Sequence, residues 1–272
     1  MSGKCVHAKT IRSGNLMTAG VDGPFGLVRR GDDRFLNQEN FVYLGIDGCP
    51  AGWYVVRAGT GGSITSKVYA CFADVLADAP SASVIAVDIP IGLTDVGSRR
   101  CDDLARRTLA PKRSSSVFSA PLRPVLTAAS HQEASTLRRS IDGKGMSIQS
   151  FAITRKVREV DVALAASPAH HERVYEVHPE VCFTQLNGGQ PMAFAKKKSA
   201  GRAERLGILA GQFGDAPARL VEDRARRDVG ADDVLDALVA LWSAWRIGCG
   251  QHASLPPIPD RDALGRRMAI FY

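Results

Sequence analysis

The tightest constraint on this chain lies in residues 41–92, where short apolar runs of strand period alternate with glycine turns. FVYLGID places Val42, Leu44 and Ile46 on one face and Tyr43, Gly45 and Asp47 on the other. The turn GCPAG follows, then WYVVRAG and, after GTGG, SITSKVYAC. Three short strands joined by tight glycine-containing turns predict an antiparallel meander. FADVLADAP predicts a short amphipathic helix. SVIAVDIPIG is a β-branched run, apolar on both faces, as suits a central strand covered on two sides.

Residues 1–40 differ from the rest. They carry no sustained period of 2 or 3.6 and are rich in Gly, Asn and charge, so they read as a flexible N-terminal extension ahead of a domain spanning 41–272. From about 95 to 170 the chain is mainly helical and basic. Between Asp95 and Asp161 there are 13 Lys or Arg against 7 Asp or Glu, nearly the whole excess of a chain with formal charge +7. RVYEVHPEV returns to strand character, KKKSAGRAERLGILAGQF begins a helix, and ADDVLDALVALWSAWRIG is the last long helix. Pro256, Pro257 and Pro259 are expected to break the chain after it.

Three strands, a helix, a strand, an insertion, a strand and helices is the element order of the ribonuclease H-like fold. The expected architecture is therefore α/β: a mixed five-stranded sheet flanked by helices, with a helical insertion between the fourth and fifth strands.

A hydrophobic content of 45% with 23% charged residues excludes wholesale disorder and a collagen-like or disulfide-dense design. No apolar stretch approaches the roughly 18 residues of a membrane span. The first 25 residues hold no apolar signal core. The six cysteines are scattered singly, without the Cys-x-x-Cys spacing of a zinc ribbon or a thioredoxin-type pair. These features point to the reducing cytoplasm and away from membranes.

Candidate chemistry rests on carboxylates. Asp47 and Asp88 stand at predicted strand ends inside apolar sequence (LGID, IAVD). An ionised carboxylate buried without a partner is costly, so such acids hold a metal, a cation or a hydrogen-bond network; the plainer alternative is an Asp capping its own turn. Asp233 and Asp236 share a face of the last helix at i, i+3, with Ala240 and Ser243 continuing a small-residue stripe. Asp232 is expected to cap that helix. A carboxylate cluster without His or Cys suits Mg²⁺ or Mn²⁺, and two such ions about 4 Å apart can cleave a phosphodiester.

GIDGCPAGW, AVDIPIGL, RRCDDLAR, SVFSAPLR, YEVHPEVCF, KKKSAGRAERL and DDVLDAL resemble, in order, the successive motifs of domain of unknown function 429, a family of predicted ribonuclease H-like nucleases. The final DxxDA is also similar to Holliday-junction resolvases of that superfamily. The resemblance implies a Mg²⁺- or Mn²⁺-dependent nuclease in which Asp47, Asp88, Asp233 and Asp236 are metal ligands. It also tilts Glu176 toward a catalytic role, with His178 as an auxiliary ligand or acid/base. Asp88 stands where that superfamily often carries Glu.

Nucleic acid, DNA or RNA, is the expected partner, and a homodimer is allowed. Arg99, Arg106, Lys112, Arg113 and Arg123, with Lys197 and Arg202 at a later helix start, are candidates to track a phosphate backbone. Aromatic residues interleaved with them are few, Phe118 and Phe151. The alternative reading is a nucleotide- or nucleic-acid-binding protein without nuclease activity. In that case the turns GCPAG and IPIG would resemble the phosphate loops of actin-like sugar kinases. Cys49 lacks a histidine partner at a nucleophile's spacing, and Trp242 and Trp245 read as core.

Overall fold

The computed structural model describes residues 42–59, 63–80 and 83–272; the expected extension over 1–40 lies outside them. A five-stranded mixed sheet organises the fold, in the order β3-β2-β1-β4-β5. Strands β1 (Val42–Cys49), β2 (Gly52–Gly59) and β3 (Ile64–Tyr69) form the antiparallel meander that the glycine turns predict. After helix α1 (Phe72–Asp78), strand β4 (Val84–Val87) pairs parallel with β1. The short β5 (Val174–Glu176) pairs parallel with β4.

Between β4 and β5 lies the helical insertion, with α2 (Arg100–Thr108), α3 (His131–Asp142), α4 (Ile148–Ala165) and α5 (Pro168–Arg173). Ser130 and Ser147 cap α3 and α4 by accepting from the backbone N–H three residues on. Beyond β5 come α6 (Pro179–Leu186), α7 (Ser199–Phe213), α8 (Ala216–Asp223) and α9 (Ala231–Gly248). Among the described residues no helix is long and apolar enough to cross a membrane.

The sheet is covered on both faces, as the apolar runs require. On one side Leu44, Ile46, Ile85, Val87 and Val174 pack with Phe72 and Val75 of α1 and Val157, Val160 and Leu164 of α4. On the other, Val56, Ala58, Ala86 and Val177 pack with α9, backed by α6, α7 and α8. Helix α9 approaches β1 so closely that a Cβ on Gly45 would lie 2.1 Å from both Ala237 O and Leu241 N. Glycine is required there because two backbones touch.

The three prolines after α9 do not break the chain. They sit in strand β6 (Ser254–Arg261), which pairs antiparallel with β7 (Arg267–Phe271). All three lie between Leu255 and Asp260, where the register with β7 is broken, so the ladder asks no N–H of them. Phe271 bridges Val177, setting the hairpin against the β5 edge.

Candidate functional site

The parallel ladder of β1 and β4 ends at Ile46 and Val87, and the Asp88 N–H donates to Ile46 O at 3.0 Å. Asp47 and Asp88 therefore occupy the next rung, side by side. Ile46 and Val87 point toward α1 and α4, so alternation turns Asp47 and Asp88 toward α9. Asp47 is not at the end of its strand, since β1 continues two residues further against β2. Its Oδ1 accepts from the Gly48 N–H at 2.7 Å.

Helix α9 supplies the facing acids. Its N-cap is Gly230 rather than the expected Asp232, and Asp233 Oδ2 accepts from the Gly230 N–H at 2.8 Å. Asp233 thus has a structural duty at the helix start as well as a place in the cluster. Asp236, almost a turn deeper, is fully buried. Its Oδ2 meets Lys196 Nζ at 2.5 Å, and its Oδ1 is buried without a hydrogen-bond partner.

The four acids feel one another. Burial, then the charges of Asp88, Asp236 and Asp233, hold the Asp47 carboxyl well above the usual aspartate range, with Lys196 opposing. Burial and Asp236 push Asp88 up to about 7, with Lys196 lowering it and Glu180 adding to the rise. Asp233 is raised by burial first, against the Gly230 hydrogen bond. Lys196 is raised, chiefly by Asp236. Lys196 faces the acids, with Lys156 also within electrostatic reach of Asp47, and the repulsion that remains favours proton binding at Asp47 and Asp88.

Two residues complete the surroundings. Glu180, buried at the start of α6, meets Arg205 through Oε1 at 2.5 Å, while its Oε2 is buried and unpartnered. His178 hydrogen-bonds Ser116 O through Nε2 at 3.3 Å, and a carbonyl can only accept, so the proton sits on Nε2. Nδ1 then holds a free, buried lone pair. Burial lowers the His178 pKa and keeps the ring neutral.

Glu176 does not join the cluster. It stands on the Val87 rung, so its side chain leaves the sheet on the opposite face from Asp88. There Arg99 grips it in a fork, NH1 to Oε2 and NH2 to Oε1, both at 2.7 Å. Arg99 NH2 also meets Asp102 at 2.5 Å. Cys101, Asp102 and Glu176 form the single group of three metal-ligand atoms within 4.8 Å of one another among the described residues. The Arg99 guanidinium already occupies the space between the two carboxylates and offsets one of their charges, and burial holds the Cys101 thiol protonated. This is an ion-pair knot rather than a metal site. Its work is local: Glu176 Oε2 also accepts from the Ile91 N–H at 2.7 Å, and Arg99 NH1 donates to Ile91 O and Gly92 O, pinning the loop after Asp88.

Most of the arginines expected on phosphate are likewise engaged internally. Arg99 is 3% exposed. Arg106 bonds Val117 O, Asp103 and Ser119 Oγ; Arg113 bonds Met192 O; Arg123 pairs with Asp161 and Asp262. Lys112, Lys197 and Arg202 remain exposed. Cys49 is buried with its pKa raised by that burial, the wrong direction for a nucleophile.

The residues whose place in the site sequence reasoning missed are Lys196 and Glu180. Lys196 opens a lysine run that reads as solvated surface. Glu180 lies in the YEVHPE motif already singled out, but nothing local separates it from Glu176.

The donor chemistry is that of a hard divalent cation, but among the described residues no three of the four acids bring ligand atoms within 4.8 Å of one another, so the cluster is not closed around an ion as it stands. All four acids are carboxylates, the repulsion among them is incompletely neutralised, and Asp236 Oδ1 and Glu180 Oε2 are buried oxygens that lack a partner. The family described as Protein of unknown function (DUF429) matches residues 45–261. No curated protein and no solved structure matches the chain.

Proposed function

This chain belongs to the DUF429 family, and we propose that it is a Mg²⁺- or Mn²⁺-dependent nuclease on a ribonuclease H-like scaffold. The observation that carries the proposal is that Asp47 and Asp88, on adjacent parallel strands, and Asp236, on the helix that covers them, are buried near enough for their charges to act on one another. The strand order β3-β2-β1-β4-β5, with only β2 antiparallel to its neighbours, supports the scaffold.

Asp47, Asp88 and Asp236 would hold the ion or ions, with Asp233 at the margin because its Oδ2 also serves the helix cap. Bound divalent ions supply activation of a water and stabilisation of the leaving oxygen. The remaining steps belong to the chain. Asp47 and Asp88, whose proton affinity is raised by burial and by the neighbouring acids, would have to be ionised to hold a cation. Lys196 keeps a positive charge beside Asp236, where it can accompany an incoming phosphate. His178, kept neutral by burial, offers its Nδ1 lone pair as a hydrogen-bond acceptor beside the cluster.

The test is a set of melting curves for wild type and Asp47→Asn, with and without Mn²⁺, beside cleavage assays on single-stranded, duplex and branched substrates. Wild type should gain thermal stability with Mn²⁺ and cleave. Asp47→Asn should fold as stably or more stably without metal, lose the Mn²⁺ gain and lose cleavage. A mutant that keeps the full Mn²⁺ response would overturn the assignment.

A further inference from the structure

Two phenylalanines stand exposed on segments that border the acid cluster. Phe118 is 48% exposed and Phe194 52%. Phe118 lies two residues from Ser116, whose carbonyl accepts from His178. Phe194 lies two residues from Lys196, whose ammonium reaches Asp236. Arg113 Nε donates to Met192 O at 3.0 Å and ties the two segments together.

Neither ring sits on loose backbone. Arg106 holds both neighbours of Phe118, donating to Val117 O at 3.1 Å and Ser119 Oγ at 2.8 Å. Glu204 accepts from the N–H groups of Ala193 at 2.8 Å and Phe194 at 3.1 Å, and Arg205 donates to Phe194 O at 3.1 Å. Charged side chains thus fix the peptide units while the apolar rings face water, an arrangement that gains nothing from burial. The same two segments carry exposed Ser115 and the exposed cations Lys112, Lys197, Lys198 and Arg202, none with a side-chain hydrogen bond or ion pair among the described residues.

We propose that Phe118 and Phe194 are stacking platforms for the bases of an unpaired polynucleotide strand, whose phosphates run between them over the acid cluster and onto the surrounding cations. The inference rests on the nuclease reading and adds its substrate class. Rings interleaved with cations match a strand that alternates π-faces with phosphates. An apolar protein partner would call for a contiguous apolar patch instead. A duplex is disfavoured because its bases already stack on both sides and offer no free face to a ring. Only a strand with unpaired bases can use both platforms.

The experiment measures fluorescence anisotropy of labelled oligothymidylate, oligouridylate and a DNA duplex against wild type, Phe118→Ala, Phe194→Ala and the double variant, in Ca²⁺ to suppress turnover. Ile258→Ala, which removes another exposed apolar side chain, is the control. Each phenylalanine variant should bind single strands about tenfold more weakly, with unchanged melting temperature and unchanged duplex binding. The oligothymidylate and oligouridylate arms show which sugar the strand carries. A double variant with wild-type single-strand affinity, or one that loses duplex affinity equally, would overturn the platforms. If Mn²⁺-dependent cleavage persists with the same strand preference in the double variant, the platforms fail and the nuclease reading stands. If single strands bind through the rings but are never cleaved in Mn²⁺ or Mg²⁺, the nuclease reading fails and the binding surface stands.

Discussion

Replacing Gly45 by alanine tests how the acid cluster is assembled. The added Cβ would meet Ala237 O and Leu241 N at 2.1 Å and Leu241 Cα at 2.6 Å, whereas ordinary contact begins at 3.4 Å. All three are backbone atoms of α9, and no side chain can rotate aside to make room. Either the helix moves off the sheet or β1 bows, by about 1 Å. Overpacking of this kind costs about 1–3 kcal/mol and occasionally more. With rigid backbone on the far side, about 3 kcal/mol is the reasonable expectation, equivalent to a loss of roughly 6–12 °C in Tm for a domain of this size. Ala237 lies one residue beyond Asp236, so the displaced helix carries Asp236 away from Asp47 and Asp88. Gly45→Ala should therefore also weaken the Mn²⁺ thermal shift. Gly59→Ala is the control: its Cβ would meet only Val42 Cγ1, at 4.0 Å. The measurement is a thermal melt of each variant with and without Mn²⁺. Gly45→Ala melting like Gly59→Ala, with the wild-type Mn²⁺ shift, would refute the close packing of α9 on β1 as the device that sets the cluster.

Three further predictions concern charge. Because Asp88 is pushed up to about 7 in the fold, the folded protein keeps a proton that the unfolded chain has released between about pH 4 and 7. Metal-free stability attributable to Asp88 therefore falls as pH rises through that window and levels off above it. In chelator, Asp88→Asn should gain on wild type across the same window by an amount on the order of 4 kcal/mol, read from urea unfolding at each pH; parallel curves would contradict the shift. Arg99→Ala leaves Glu176 and Asp102 buried without their cation and should cost about 3–5 kcal/mol. Lys197→Glu should leave the melt unchanged while altering the salt dependence of nucleic-acid binding. An Arg99→Ala protein as stable as wild type would show that the knot is not structural.

Legibility followed the range of the interaction. Strand period exposed β1, β2 and β4, and the apolar run of α9 exposed the helix that covers them, because those patterns repeat within a few residues. Asp47, Asp88 and Asp236 could be singled out because each interrupts apolar sequence, a local contradiction that burial of the flanking residues makes costly. Glu176 carries the same local signature and went to the opposite face. Its fate was decided by Arg99, 77 residues earlier, and no local pattern reports which cation will reach a buried carboxylate. The prolines of β6 misled because a break in register between Leu255 and Asp260, visible only in the assembled hairpin, removes their penalty.

The basic insertion shows how a charge excess can be legible and its use not. Counting charges between Asp95 and Asp161 treats every cation alike, yet the fold does not: Arg100, Arg107, Arg139, Arg155 and Arg158 stay exposed while Lys156 turns onto Gly52 O. Arg99, Arg106, Arg113 and Arg123 turn inward onto carbonyls and carboxylates, and Arg173, Arg205, Arg266 and Arg267 outside that stretch do the same. The planar guanidinium, with five donors in a fixed fork, can satisfy several acceptors at once where an ammonium presents a point charge. Exposed Lys112, Lys197 and Lys198 keep their charge in water. Much of the positive charge in the insertion is therefore structural mortar that holds loops beside the acid cluster. Arg106 is the clearest case: a residue expected to grip phosphate instead holds the Val117 carbonyl and the Ser119 hydroxyl on either side of an exposed ring. Its contribution to a bound strand would be made through Phe118, by stacking, and would be insensitive to salt.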